Sequence, residues 1–272
     1  MRFWHHSGLY AVANNVQTST DTSAVVICLP DFLIDEREPW WNPAPQHLRY
    51  LLHRPEVSVR TYNCADTLVL PAGPARYAFP DAADDQTLEQ FPIYQQFLRR
   101  SQPDRVMLPD RLGVILTADL SAEIDRYLAV IAGQTAALDD GSRRALPIAL
   151  GGRVELLGYT LSAEAAGPSE PIELTTIWRV TDQLPPQLSQ FTHLLNGQGD
   201  IAAQQDRLML TSQSLRAGDV VMQIHRLTRP ADAGKYALTI GLYTQPDGQR
   251  LPIVIDGQPR GDRLFLDQIE VR

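Results

Sequence analysis

From Arg153 to Arg272 the chain carries no helical stripe, only short β-prone runs set between turn clusters. The runs are "RVELLGYTLS", "PIELTTIWRV", "QFTHLL", "DIAAQQD", "DVVMQIHRL", "KYALTIGLYT", "LPIVI" and "RLFLDQIEV". About eight strands punctuated by Gly, Pro, Asn and Asp is the pattern of an antiparallel β-sandwich, jelly-roll or immunoglobulin-like. The clearest run alternates with period two. Tyr236, Leu238, Ile240 and Leu242 face one way, and Ala237, Thr239, Gly241 and Tyr243 the other.

The first half reads differently. "SAVVICLP", "EVSVRTY", "DTLVLP" and "DRVMLPDRLGVILT" have strand character. Between them "PQHLRYLLH", "QTLEQFPIYQQFLRRS" and "SAEIDRYLAVIAGQTAAL" have helical spacing, the second interrupted by Pro92. Such alternation predicts an α/β layer domain. The polar, glycine-containing passage Asp139–Gly152 marks the change. The expected organisation is an α/β domain over 1–144 and an all-β sandwich over 145–272.

A chain that is 44% hydrophobic and 21% charged lies well outside the disordered range. Its net charge of −8 argues against a nucleic-acid partner, which demands a basic face. The N-terminus "MRFWHHSGLYAVANN" lacks the apolar core of a signal peptide, and no run approaches the length of a membrane span. Cys28 and Cys64 lie on apolar segments. They are expected as buried free thiols; a disulfide is the reading if the domain is extracytoplasmic.

Few residues offer chemistry. "FTHLLNGQGDIAAQQD" holds His193 and Asp206 at opposite ends of a hairpin turning at "NGQG". With Phe191, His193 and Leu195 on one face, His193 is expected opposite Ala202 or Ala203. Asp206 is then expected to bond backbone N–H groups of the following loop, a structural role. No Gly-x-Ser-x-Gly elbow, phosphate-binding glycine pattern or spaced Cys/His set occurs, so no metal or cofactor is expected. The acidic clusters "DERE" and "DAADD" read as solvated loops. Trp40 and Trp41, beside prolines, and Tyr243 are the candidates for stacking on a ligand, and Trp178 is a candidate core residue.

The residues "VELLGYTL", "PIELTTIWRV", "FTHLLNGQGDIAAQQD", "AGDVVMQIHRL" and "GKYALTIGLY" carry a resemblance. They resemble a module at the C-terminal ends of bacterial membrane proteins, particularly from Chloroflexi. Many of these are similar to GT-C glycosyltransferases of the dolichyl-phosphate-mannose mannosyltransferase type. The recurring positions fall here on Trp178, Phe191, His193, Leu194, Gly199, Gln204 and Asp206. The first half is similar, through "SAVVICLPDF", "HLRYLLH" and "DTLVLP", to the soluble tail after the last membrane helix of such enzymes. The resemblance implies an extracytoplasmic, non-catalytic region whose native chain continues upstream of Met1 into the membrane. Its implied partners are a saccharide or glycan acceptor and the membrane domain of the same chain. No catalytic residue carries over, because the carboxylate of those enzymes lies in a membrane-flanked loop. The alternatives are a structural or protein-interaction module, and a stand-alone hydrolase.

Overall fold

A computed structural model describes residues 7–29, 54–80, 82, 84–91, 94–162, 171–245 and 247–271. Strand accounts for 45% and helix for 16% of the described residues, which are mostly β and organised in three sheets. It divides into two compact units, Met1–Asp125 with Met209–Ser214, and Arg126–Leu208 with Leu215–Arg272.

In the first unit, helix α1 (Ser7–Thr18) buries Leu9, Val12, Ala13 and Val16, a single stripe at i, i+3, i+4 and i+7. The sheet beside it comprises β1 (Ala24–Cys28), β2 (Val59–Tyr62), β4 (Ala75–Pro80), β5 (Asp104–Met107) and β6 (Gly113–Ala118); β3 (Thr67–Leu70) lies between β2 and β4 in sequence. Its order is β2-β1-β4-β6-β5. The β2-β1-β4 pairs are parallel, while β6 and β5 join antiparallel, so the sheet is mixed. Val25 and Ile27 of β1, Ala78 of β4 and Ile115 of β6 pack with the α1 stripe in one apolar core.

Two arginines satisfy carbonyls at the end of α1 and in the segment after it. Arg54 Nη1 donates to the oxygens of Val16, Ser19 and Asp21, and Arg76 Nη2 to those of Asp21 (3.2 Å) and Ser23 (3.3 Å). Residues Met209–Ser214 return from the second half to lie beside β2. Asn63 N–H donates to Met209 O (2.8 Å), and Thr211 N–H to Thr61 O (3.0 Å).

Cys28, ending β1, and Cys64, just after β2, form a disulfide with Cα atoms 5.3 Å apart. This corrects the expectation of two free thiols. Parallel pairing of β1 with β2 sets Cys28 opposite Tyr62, two residues from its partner. No local pattern could announce that adjacency.

Three local expectations also change. The helix at the N-terminus and strand β4 were absent from the sequence reading, although the α1 stripe is visible in it. The helix expected over "SAEIDRYLAVIAGQTAAL" is α3 (Ser121–Val130), which stops early. Gly133 has a left-handed φ of +82°, and Thr135–Ala137 is strand β7. In "QTLEQFPIYQQFLRRS" α2 (Asp85–Leu88) ends early and a π-helical turn (Tyr94–Leu98) follows, while Pro92, the expected interruption, lies outside the described residues.

The second unit contains two sheets, antiparallel throughout. One runs β17 (Gln258–Pro259), β16 (Ile253–Ile255), β9 (Ile148–Leu150), β10 (Val154–Leu161), β11 (Ile172–Val180), β14 (Val220–Leu227). The other runs β13 (Ile201–Asp206), β12 (Leu188–Leu195), β15 (Gly234–Thr244), β18 (Leu264–Val271), β7 (Thr135–Ala137), β8 (Arg143–Ala145). The hairpin β7–β8 thus belongs by pairing to the second unit, with β7 ahead of the polar passage read as a boundary and β8 inside it.

Their facing sides meet in a core holding Leu174, Leu194, Leu238, Ile240 and Leu264, all fully buried. A polar seam crosses it. Trp178 Nε1–H on β11 donates to Gln190 Oε1 on β12 and to Thr176 Oγ1, both at 2.9 Å. Gln190 Nε2 donates to Thr192 Oγ1 at 3.3 Å. Burying an amide and an indole N–H is tolerable only because each finds a partner.

Candidate functional site

Strand β12 sends Gln190, Thr192 and Leu194 into the shared core, so Phe191 and His193 project from the opposite face of their sheet. Register sets their neighbours there. Phe191 lies opposite Asp206 on β13 and Gly241 on β15; His193 lies opposite Gln204 and Thr239. The sequence expectation placed Ala202 or Ala203 opposite His193. A bulge at Ala202, between the Leu194 and Leu195 pairs, shifts the register.

That shift brings His193 Nε2 to 3.0 Å from Asp206 Oδ1, correcting the expectation that Asp206 serves only the next loop. An ionised carboxylate only accepts, so Nε2 carries the proton. Phe191 lies 5.0 Å from the His193 ring and 6.5 Å from Tyr243, centroid to centroid. The Arg250 guanidinium covers Phe191 at 4.5 Å and pairs with Asp262 at 3.0 Å. Phe191 is consequently buried, and the His193 ring nitrogens have no hydrogen-bond partner but Asp206 among the described residues. A His–Asp pair without a hydroxyl or thiol on the imidazole does not constitute a nucleophilic triad.

Farther across the same sheet a groove of about 500 Å³ opens between the β7–β8 hairpin and strands β15 and β18. It is lined by Asp139 and Arg143 from the hairpin, Ala237 from β15, and Phe265, Asp267 and Gln268 from β18. Asp139 Oδ1 accepts from Arg263 Nε at 3.1 Å, and its Oδ2 from Asp262 N–H at 3.4 Å. Gly261 makes this approach possible, since a Cβ there would lie 2.3 Å from Asp139 Oδ2. The Arg263 guanidinium stands over the Phe265 ring at 5.2 Å. Arg143 donates from Nε and Nη2 to the Oγ1 (3.0 Å) and O (3.2 Å) of Thr135. Asp267 Oδ1 accepts from Gln268 N–H at 2.8 Å. Beside it, burial and then the Asp267 charge push the Tyr159 hydroxyl's pKa up, and that hydroxyl donates to Leu266 O at 3.0 Å.

His225 of β14 is fully buried in the second unit, and neither ring nitrogen has a hydrogen-bond partner among the described residues. Burial, with the Arg207 charge adding, pushes its pKa down to about 3. Elsewhere four aspartates cap turns or helices. Asp84 accepts from Thr87, Asp119 from Ser121, Asp140 from Ser142 and Asp247 from Thr244, and these bonds hold each carboxyl below its usual range. Part of "DAADD" is therefore an N-cap. No group of three or more His, Cys, Asp or Glu side chains suited to a metal occurs among the described residues.

Of the residues singled out in the sequence, Trp40 and Trp41 lie outside the described residues. Trp178 is a core residue with its N–H satisfied. Phe191, His193, Gln204, Asp206 and the half-buried Tyr243 gather on one sheet face. Sequence reasoning missed the groove residues entirely. Asp139 and Arg143 lie in the polar passage read as the domain boundary, and only the pairing of Ala137 with Phe265 brings the hairpin to β18.

No protein-family model matches the chain, and no curated protein matches it. Among solved structures, a β-D-mannosidase from Dictyoglomus thermophilum is similar at 10% identity and a TM-score of 0.24. The match covers 54% of this chain and 24% of that one. A likeness that slight carries no argument.

Proposed function

We propose that the chain is a non-catalytic, extracytoplasmic region of a membrane glycosyltransferase-like protein, and that its second unit touches a saccharide or glycan acceptor. In this reading an α/β domain precedes a jelly-roll or immunoglobulin-like sandwich. The observation that carries the saccharide part is the groove beside the β7–β8 hairpin. It offers an aromatic ring, Phe265, together with a carboxylate, an amide and a guanidinium in Asp267, Gln268 and Arg143. Concave sites with an apolar surface and a few placed polar groups are where small ligands bind. The Cys28–Cys64 disulfide supports the compartment, because such bonds persist in oxidising surroundings.

The His193–Asp206 pair gives no support to the hydrolase alternative, since its imidazole meets no nucleophile among the described residues. No helix among the described residues is long and apolar enough to cross a membrane, so the membrane domain of this reading would lie outside them. A glycan array probed with the 272-residue protein tests the proposal. Binding that survives Trp40→Ala/Trp41→Ala but is lost on altering the groove supports it; silence across the array removes the saccharide role.

A further inference from the structure

We propose that the groove binds an uncharged, hydroxyl-rich ligand, a neutral hexopyranose or a short oligosaccharide of such units, with Arg143, Asp267 and Gln268 reading its hydroxyls. This rests on the saccharide reading above and specifies its ligand class and site.

Charge balance is the first argument. Of the two lining carboxylates, Asp139 is compensated by Arg263 at 3.1 Å. What remains is one carboxylate, Asp267, and one guanidinium, Arg143. An anionic ligand would confront Asp267 and Asp139 with a guanidinium already committed through two of its nitrogens to Thr135. A cationic ligand would meet Arg143. A neutral ligand meets neither penalty.

The hydrogen-bonding capacity that remains is mixed. Asp267 Oδ1 is occupied by Gln268 N–H, and Oδ2 has no hydrogen-bond partner among the described residues. Arg143 Nη1 likewise has none, while the bonds to Thr135 fix its plane. The Gln268 side-chain amide both donates and accepts. Acceptor, donor and dual-character groups on the two sides of the groove suit hydroxyls, each of which can donate once and accept at the same time. A purely apolar ligand would leave all three unpaired, the costly outcome.

Shape completes the argument. Ala237 presents only a methyl group opposite Gln268 in the β15–β18 register, and Phe265 supplies an aromatic wall held in place by Arg263. The C–H face of a pyranose can lie against such apolar surface while its rim hydroxyls reach the polar groups. The volume of about 500 Å³ falls within the range of small-ligand sites.

The test is calorimetric titration of the 272-residue protein with neutral glucose, mannose and galactose disaccharides and with uronate disaccharides of matched linkage. At least one neutral disaccharide should bind more tightly than its uronate counterpart. Its affinity should fall about tenfold in Gln268→Ala and in Arg143→Ala, and be abolished in Ala237→Phe, which fills the floor. Arg143 and Gln268 are exposed, so their variants should melt with the parent; Gln268→Glu, an exposed change of charge, gives a further check and should weaken uronate binding most. Preference for the uronates would overturn the charge argument. Neutral binding undiminished in all the groove variants would overturn the site yet leave the saccharide role standing, and absence of any glycan binding would overturn both.

Discussion

His193 on β12 donates its Nε2 proton to Asp206 on β13 across 3.0 Å, although thirteen residues and a turn separate them in the chain. The His193 side chain is 9% exposed and that of Asp206 30%, so the bond is sheltered on one side and wet on the other. Asp206→Asn should lose the charge assistance and cost about 1 kcal/mol, a fall in melting temperature of about 2–4 °C. Thermal unfolding checks this. A variant that melts with the parent would show that the pair contributes nothing to stability, and glycan binding should be unaffected.

The Cys28–Cys64 bond closes a loop with a sequence separation of 36. Constraint of the unfolded chain over that span is worth roughly 3–4 kcal/mol. Urea unfolding with and without dithiothreitol, alongside a Cys28→Ser/Cys64→Ser protein, should show a lower midpoint in both reduced forms. Coincident midpoints would refute the contribution.

His225 makes the stability of the second unit pH-dependent. Its folded pKa, near 3, lies below the ordinary 6.5, so the unfolded chain binds the proton more readily. Stability from this residue is therefore complete above pH 6.5 and is lost as pH falls from there toward 3. Aspartates held low by their caps begin to lose stabilisation only near their ordinary value of 3.8, so between pH 6.5 and 4.5 the difference between the parent and a His225→Leu variant reports this imidazole. Over that interval the parent should lose on the order of 2 kcal/mol more than His225→Leu. Equal acid sensitivity in both proteins would assign the effect elsewhere.

Gly241 is required by contact rather than by backbone angle. A Cβ at this position would lie 2.3 Å from Phe191 Cζ and 2.7 Å from Asp262 O. Gly241→Ala should destabilise by about 1–3 kcal/mol, the usual cost of overpacking. Adding Phe191→Leu should recover part of it, and a double-mutant cycle with no coupling would contradict the arrangement.

Much of the second unit is legible in its residues. The alternation in "KYALTIGLYT" places Tyr236, Leu238, Ile240 and Leu242 inward, and all four are buried. The turn at Asn196 is equally readable, its side-chain oxygen accepting from Gln198 and Asp200 N–H at 2.9 Å. The α1 stripe at Leu9, Val12, Ala13 and Val16 was open to the same reading. The candidate site was far less visible. One extra residue, Ala202, shifts the hairpin register, and whether a bulge forms there depends on what the shifted side chains then touch.

By itself the sequence determined the local facts: which stretches extend, which face of each is apolar, and where the chain must turn. These follow from a period of two or of 3.6 acting over a few residues. Only the tertiary structure decided that Cys28 meets Cys64, that Asp206 reaches His193, and that Asp139 and Arg143 stand across a groove from Asp267 and Gln268. The groove unites residues more than 120 positions apart, through the pairing of Ala137 with Phe265. Adjacency of that kind is set by which strands share hydrogen bonds, a choice made by the burial of whole sheets rather than by any residue's neighbours in sequence.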